Sequence, residues 1–567
     1  MKKTLLICAS LLCILQARAG VVLKLPATGG ADDTQRLRET IERAAGYKGK
    51  PVTILLEQGD YHLSREQAST CLYHVSNTTS EEENALPVKH IGLWLKHLKN
   101  VTIDGGGACL ITHGEMTTFV VDSCENIVLR NFTVKASDPS LPEITVVETG
   151  EDYIVARTAS DTRYAIRDGR LYWRGEGWEF TGGIAQVFYP ASNVTVRTSS
   201  PMDGLIKAVE LERGLLKMYY GHRPAMQPGE VYQMRHSFRT EVCGFINRSR
   251  NVTLRHVNLN FLGNFGVVGQ YSENLTYDHL VCAPALGGDR TGAGFADFVQ
   301  MSGCRGKISI TDSRFEGAHD DPINIHGTHL KVVEYVGERQ VKVRFMHGQS
   351  YGFEAFSKGD KVEMVDAQGL LCLQAATVKK TERVDDYTFL LTLDKSVGEN
   401  VKAAGDVSVE NVTWTPEVYI ARNYFARIPT RGILVTTRRK VVIEGNVFYR
   451  LPMSAVLVSD DARSWYESGP AYDVTIRRNE FIECGSPVVN IAPEIGVYKG
   501  AVHRNVRVCD NRFRILQGQA VSARAVDGLT VTGNYFETQL APQGLVVTDN
   551  CHNVKVENNR KGWTMAY

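Results

Sequence analysis

The chain has 567 residues, enough for a large core, and its 64 Lys and Arg nearly balance its 63 Asp and Glu. No run of like charge and no basic stripe stands out along the sequence. This balance argues against nucleic acid or an anionic membrane surface as the partner.

Residues 1–19 have the pattern of an export signal. "MKK" supplies the positive start, "TLLICASLLCILQ" the apolar stretch and "ARA" at 17–19 a cleavage site between small residues. The apolar stretch is too short to span a membrane, and no later segment is long and apolar enough for a transmembrane helix. We therefore expect a signal peptide over 1–19 and an exported protein, periplasmic or secreted, without membrane insertion.

Ten of the twelve cysteines follow residue 19, and none of them forms a CxxC motif. The sequence therefore gives no support to a zinc site or a redox motif. Export permits disulfides, so the pairing stays open, although cysteine is also common as a small buried apolar residue.

The mature chain is predicted to begin with a cap. The stretch "GADDTQRLRETIERAAGYKGKPVTILLEQGDYHL" combines an aspartate at a helix N-terminus, one amphipathic helix and a following strand. A helix at this place can shield the open edge of a sheet.

A β-rich phrase recurs along the chain, with Asn or Asp followed two residues later by an aromatic. In the last third it reads "VYIARNYF", "VVIEGNVF", "VTIRRNEF", "VRVCDNRF" and "LTVTGNYF". A period near 23 residues with several short strands predicts a parallel β-helix, whose coils stack roughly 4.8 Å apart. We expect the aromatic to point inward and the asparagine to stack at a turn in the left-handed conformation. The asparagines are Asn423, Asn446, Asn479, Asn511 and Asn534.

Two stretches break this period. Short alternating strands fill residues 141–240 and residues 329–415, and each stretch is long enough for a small antiparallel barrel or sandwich. We interpret them as insertions at β-helix turns, which could wall a cleft or make a contact in a possible homodimer. The predicted units are 20–140, the inserted 141–240, 241–328, the inserted 329–415, and 416–567.

Three aspartates are predicted to meet at one end of a sheet. The stretches "GFADFVQ" and "GAHDDPINIHG" lie one coil apart, and aligning their inward apolar residues puts Asp297 beside Asp321, with Asp320 one residue earlier. The same alignment puts Arg431 of "PTRGILV" on the next coil, and Gln300 beside Asn324 on the outward face.

Clustered carboxylates repel one another, so a purely structural role would be costly. Repulsion raises the proton affinity of one carboxyl, which can then act as a general acid while the others activate water. This division suits inverting glycoside hydrolysis, in which acid and base stand roughly 6.5–9.5 Å apart. A calcium site and a solvated turn are the alternative interpretations of the same residues.

At these residues the sequence resembles glycoside hydrolase family 110, the exo-acting α-1,3-galactosidases. The resemblance covers nearly the whole mature chain, from "GADDT" through both interruptions to "GFADFVQ" and "GAHDDPINIHGTH". It implies an all-β fold, a right-handed parallel β-helix with two inserted β-barrel domains. It also implies inverting hydrolysis, without a metal or other cofactor, of terminal α-1,3-linked galactose on blood group B oligosaccharides and, for some members, on linear α-1,3-galactosyl ends.

The resemblance places the catalytic aspartates at Asp297, Asp320 and Asp321. By analogy with β-helix polygalacturonases, Asp320 is the acid, and Asp297 and Asp321 hold the water. The other candidates are predicted to bind substrate or to support the site. They are Arg431, Asn324, Gln300, His319, Glu494 and Trp465, with His326 as a supporting residue.

Three other functions stay open at the level of sequence. A polysaccharide lyase or epimerase needs calcium or a strong base beside a uronate, and an acidic cleft would repel that substrate. A polygalacturonase-like enzyme is expected to carry more cationic subsites. A non-catalytic carbohydrate-binding β-helix would bind sugar without turnover.

Overall fold

The computed structural model describes residues 20–563, so the predicted signal peptide at 1–19 lies outside the described residues. The chain winds as a parallel β-helix with three sheets, which is the predicted architecture. Within the described residues, no helix is long and apolar enough to cross a membrane.

The first sheet contains the recurring phrases, and its strands pair in parallel from coil to coil. Its three longest strands continue into the second sheet. The strands are Val21–Leu25, Val52–Leu56, Lys99–His113, Glu125–Ala136, Arg250–Leu259, Glu273–Asp278, Arg305–Thr311, Glu417–Ala421, Lys440–Glu444, Asp473–Arg477, His503–Cys509, Val526–Thr532 and Lys555–Glu557.

The second sheet follows the asparagine turns with short strands. Its members are Asp60–Ser64, Val281–Cys282, Arg314–Glu316, Tyr424–Ala426, Val447–Tyr449, Glu480–Ile482, Arg512–Arg514, Tyr535–Glu537 and Arg560–Gly562.

The third sheet, here called the cleft sheet, carries the acidic motif. Its strands are Ser69–Leu72, Val88–Lys96, Thr117–Asp122, Gly244–Asn247, Val267–Gln270, Val299–Ser302, Ile323–Gly337, Ile433–Val435, Val456–Val458, Val489–Ile491, Val521–Arg524 and Val546–Asp549, with the two-residue strand Glu467–Ser468 at its side.

Two ladders line the turn between the first and second sheets. Phe448 stacks between Phe425 and Phe481, with ring centroids 4.7 and 5.1 Å away, which confirms the inward aromatic. Asn446 is buried and donates through Nδ2 to Asn479 Oδ1 at 3.0 Å.

The left-handed conformation belongs to a different residue from the one predicted. Arg422, Gly445 and Arg478, each directly before a ladder asparagine, have positive φ, and the ladder asparagines at 423, 446 and 479 do not. Each ladder side chain forms hydrogen bonds with the neighbouring coil. The left-handed conformation is therefore adopted by the residue directly before the asparagine. Asparagines at the first corner, such as Asn126 and Asn251, do have positive φ.

The helix Thr34–Ala45 occupies the predicted cap position. Leu37 and Ile41 belong to the main core, so the helix covers the first coil. The capping bond to the Thr34 N–H comes from Asp32 Oδ1 at 2.8 Å, and Asp33 at the N-cap position makes no such bond.

The first insertion is a seven-stranded antiparallel sheet with a three-stranded sheet packed beside it. The strands are Glu143–Thr149, Tyr153–Thr158, Tyr164–Arg167, Arg170–Gly175, Trp178–Phe180, Ile184–Tyr189, Val194–Thr198, Leu205–Glu212, Leu215–Tyr220 and Val231–Arg235.

The second insertion is a closed antiparallel barrel of six strands. One of these is the outer half of Ile323–Gly337, so a single strand runs from the cleft sheet into the barrel. The predicted boundary at 328 and 329 falls inside that strand. The others are Gln340–Arg344, Lys361–Asp366, Leu371–Arg383, Thr388–Leu393 and Val407–Asn411, with the short helix Glu399–Ala403 between the last two.

The ten cysteines between residues 20 and 563 form no disulfide with one another. Five of them are buried, as small apolar residues commonly are.

Candidate active site

A cavity of about 370 Å³ lies over the cleft sheet and collects most of the predicted site residues. Asp297, Asp320 and Asp321 line it together, and Arg431 lies beside them. The described structure therefore brings together carboxylates that are separated by more than twenty residues in the sequence.

The register of the cleft sheet places the aspartates. Val299 pairs with Ile323, and Ile323 pairs with Ile433 on the following coil. Asp297, Asp321 and Arg431 each stand two residues before these partners, as the sequence alignment predicts. Gln300 pairs with Asn324, and both line the cavity.

Arg431 binds the Asp321 carboxylate through both its side chain and its backbone. Its Nη2 lies 2.9 Å from Asp321 Oδ2, and its Nε and backbone N–H both donate to Oδ1 at 3.0 Å. Asp321 is 2 % exposed, and burial outweighs this ion pair, so its pKa rises to about 6. This carboxyl therefore titrates near neutral pH.

The carboxyl group of Asp297 has no hydrogen-bond partner among the described residues, and the residue is buried. Burial and then the carboxylates of Asp320 and Asp321 raise its pKa well above the ordinary value. Asp297 and Asp321 are thus two buried carboxyls on neighbouring coils whose pKa values are both raised.

Asp320 is the most exposed of the three, with 27 % of its side chain accessible. Its Oδ2 lies 2.9 Å from Arg197 Nη2, which comes from the first insertion. Its Oδ1 accepts the backbone N–H of Asp321 at 3.1 Å. The insertion therefore forms part of the site.

The cavity does not have the geometry of a compact cation site at the aspartates. Within residues 20–563, only Asp278, His279 and Asp312 bring three potential metal-ligand atoms within 4.8 Å of one another, and they lie outside this cavity. The three aspartates are thus more widely spread than a shared metal would require.

The predicted substrate-binding residues divide into two groups. Arg431, Asn324, Gln300, Glu494 and Trp465 line the cavity. His319 lies behind it, buried, and its Nε2 faces Gln233 Oε1 at 3.1 Å. Burial, with Arg235 and Arg197 nearby, lowers its pKa well below the usual range.

Trp465 is 44 % exposed and stacks on His347 of the second insertion, with ring centroids 4.2 Å apart. His326 is buried beneath the floor, and its Nδ1 lies 2.7 Å from the carbonyl oxygen of Gly327.

Sequence reasoning missed Asp461, which lies in the long loop after residue 458 and lines the cavity, and four further groups at the site. Glu467 and Asn77 come from loops, Arg239 from the segment after the first insertion, and Arg197 from inside that insertion. None of them has a fixed spacing from the aspartates. The only signal was the long loop after residue 458, which also contains Trp465.

Known protein families match this chain in three places. The GLAA-B beta-barrel domain I matches residues 142–231, and the GLAA-B beta-barrel domain II matches residues 340–407. A right handed beta helix region matches residues 405–560. Alpha-1,3-galactosidase A of Bacteroides thetaiotaomicron is 47% identical over 550 residues, 96% of each chain.

This chain belongs to glycoside hydrolase family 110. Alpha-1,3-galactosidase A of Streptomyces avermitilis is 38% identical over 89% of this chain and 86% of the relative. Alpha-1,3-galactosidase B of Bacteroides thetaiotaomicron is 30% identical over 98% and 94%. The family resemblance and the right-handed β-helix with two inserted antiparallel β domains are thus confirmed.

Among solved structures, a family 28 exopolygalacturonase of Yersinia enterocolitica aligns over 95% of this chain and 79% of its own. The identity is 12% and the TM-score 0.40.

Proposed function

We propose that this family 110 protein is an exo-acting α-1,3-galactosidase that removes terminal α-1,3-linked galactose by inversion. Its relatives are named alpha-1,3-galactosidase, and the cavity offers three aspartates that can serve as acid and base. The decisive observation is that Asp297, Asp320 and Asp321 line one cavity together with Arg431.

The cavity size and charge support this substrate class. A volume of about 370 Å³ is at the lower end for small-ligand sites and suits the end of a glycan. Six carboxylates line it, so a uronate would be repelled and a neutral sugar favoured. They belong to Asp297, Asp320, Asp321, Asp461, Glu467 and Glu494.

In the proposed reaction Asp297 and Asp321 hold the attacking water as a dyad. Whichever of them is ionised accepts the proton of the water as oxygen attacks the anomeric carbon. Asp320 donates its proton to the leaving glycosidic oxygen, and Arg197 keeps that carboxyl in place. One displacement at the anomeric carbon gives β-galactose.

The first test is proton NMR of a digest of galactose-α-1,3-galactose, read within minutes. First-formed β-galactose is the expected product, whereas first-formed α-galactose would overturn the inverting mechanism. Release from the fucosylated blood group B trisaccharide, read in the same way, tests the proposed natural substrate. Sugar binding without any hydrolysis would show that the protein is a carbohydrate-binding protein and not an enzyme.

A second experiment separates the roles of the aspartates. Asp320→Asn should lose about 10²–10⁴-fold on the disaccharide but much less on an aryl galactoside whose leaving group needs no proton. Asp297→Asn and Asp321→Asn should lose comparably on both substrates. An Asp320→Asn loss independent of the leaving group would remove Asp320 as the acid.

A further inference from the structure

Glu467 is another carboxylate in the cavity, and the proposed hydrolysis leaves it without a role. It lies on the loop 459–469, which folds over the cleft sheet from a later coil. Only 13 % of its side chain is exposed, and that part faces the cavity.

The two carboxylate oxygens of Glu467 have different surroundings. Oε1 accepts the amide of Asn77 at 2.8 Å and that of Asn324 at 3.3 Å. Oε2 receives no hydrogen bond from any residue in the described part of the chain. Oε2 is open to the cavity rather than sealed in the protein, so a group bound there can donate a hydrogen bond to it.

The neighbouring histidine does not supply that donor. His326 Nδ1 faces the Gly327 carbonyl oxygen at 2.7 Å and donates its hydrogen to it. Its Nε2 faces Gln300 Nε2 at 3.1 Å and lies 3.6 Å from Glu467 Oε1. That nitrogen lies beside Oε1 and the Gln300 amide, so this ring gives Oε2 no hydrogen bond.

The backbone holds Glu467 in position before any ligand binds. Thr328 pairs with Glu467, and Gly327 with Ser468, in an antiparallel contact at the side of the cleft sheet. Asp460, at the start of the same loop, accepts from the Gly469 N–H at 3.1 Å and lies 3.1 Å from His329 Nε2. An acceptor fixed in this way loses little freedom on binding.

We propose that Glu467 is a specificity residue that accepts, at Oε2, a hydrogen bond from a hydroxyl group of the terminal sugar. The contact selects a neutral hexose that presents this hydroxyl. The inference rests on the proposed function, because it places the terminal sugar beside the aspartates.

A panel of aryl α-galactosides lacking one hydroxyl at a time tests this contact. In the wild-type protein, loss of the hydroxyl bound by Glu467 should lower kcat/KM by about tenfold to a hundredfold. Glu467→Gln should show a loss of that size on the parent galactoside. On the matching deoxy compound it should show no further loss, since the contact is already gone.

Glu483→Gln is the matched control. Glu483 has the same exposed fraction of 13 % but pairs with Arg450 on the outside of the helix. It should retain wild-type rates on the whole panel. Removal of each hydroxyl lowers kcat/KM by a certain factor. If that factor is the same in Glu467→Gln as in the wild-type protein for every deoxy compound, Glu467 does not bind a sugar hydroxyl.

Asn77→Gly provides a second variant if Glu467→Gln does not fold. Asn77 has φ 62°, which glycine tolerates, and the change removes one of the two amides that hold Oε1. Removal of the same hydroxyl should then lower kcat/KM by a severalfold smaller factor than in the wild-type protein. An unchanged pattern over the panel would contradict the proposal.

Calorimetric binding of methyl α-galactoside and its deoxy analogues separates this inference from the proposed function. Binding that depends on Glu467 and one hydroxyl, without cleavage of α-1,3-galactosides, would overturn the reaction and keep the contact. Cleavage without that dependence would overturn the contact and keep the reaction.

Discussion

At the scale of the residue, Asp297 lowers the stability of the fold at neutral pH, because its carboxyl is buried near other carboxyls. The carboxyl is buried beside two others and has no partner among the described residues. Because burial and repulsion raise its pKa in the folded state, the folded protein binds this proton more tightly than the unfolded chain does. Stability therefore falls as pH rises above the ordinary aspartate value of 3.8.

Asp297→Asn should accordingly be inactive yet unfold at a higher temperature than the wild-type protein at pH 7. The gain should shrink as pH falls and vanish only at about pH 3, below the ordinary aspartate value, where the carboxyl is mostly protonated in both states. Thermal melting across this pH range measures the effect, with the exposed Asp152→Asn as control. A lower melting temperature at pH 7 would show that the carboxylate is stabilised by contacts other than those described here.

At the scale of the element, each coil is tied to the next through its turn. Asn446 is 1 % exposed, donates to Ile420 O at 3.0 Å and accepts the backbone N–H of Asn423 at 2.9 Å. The asparagine side chain replaces backbone pairing where the strands bend. Removing it leaves buried groups on both neighbouring coils without partners.

We expect Asn446→Ala to lower the free energy of unfolding by about 2–4 kcal/mol, because several buried polar groups lose their partners. Urea denaturation followed by fluorescence measures this change. Asn258→Ala, at an exposed strand position, should change stability by less than about 0.5 kcal/mol. Equal effects of the two substitutions would mean that the ladder contributes no more than a surface residue.

At the scale of the whole molecule, each insertion contacts a residue that lines the cavity of the β-helix. Arg197 of the first insertion reaches Asp320, and Gln233 of the same insertion contacts His319 and Thr291. His347 of the second insertion supports Trp465. The three aspartates belong to the coils, and Asp320 is held by Arg197 of the first insertion.

Arg197→Met should lower kcat by about tenfold with little change in KM, because Asp320 loses the group that orients it. Arg157→Met is a matched control, since Arg157 lies in the same insertion and pairs with Glu212 at 2.9 Å. If kcat recovers partly in Arg197→Lys and the melting temperatures of the variants are unchanged, Arg197 acts by positioning Asp320. A loss of kcat in Arg157→Met equal to that in Arg197→Met would contradict it.

The repeat in the sequence predicts most of the β-helix because stacking coils require the same residue type at the same corner. The predicted stack of Phe448 with its neighbours follows from that rule, and so does the register of Asp297 with Asp321. The conformation of the ladder asparagines was predicted wrongly. The repeat identifies the position of the corner, but it does not determine which of two adjacent residues adopts the left-handed conformation.

The loops follow no such rule. Glu467, Asn77 and Arg239 reach the cavity from separate segments, and no period links them to the aspartates. His319, adjacent to Asp320 in sequence, turns away from the cavity to contact Gln233. Adjacency along the chain does not decide which side of the turn a side chain occupies.

By itself the sequence determined the family, the coiled architecture and the place where three aspartates meet, since periodic packing fixes which residues stack. Only the tertiary structure decided which loops close the cavity and which cation pairs with which carboxylate. Those contacts join segments of unrelated spacing, and their energies depend on burial, which arises only when the barrels fold against the coils.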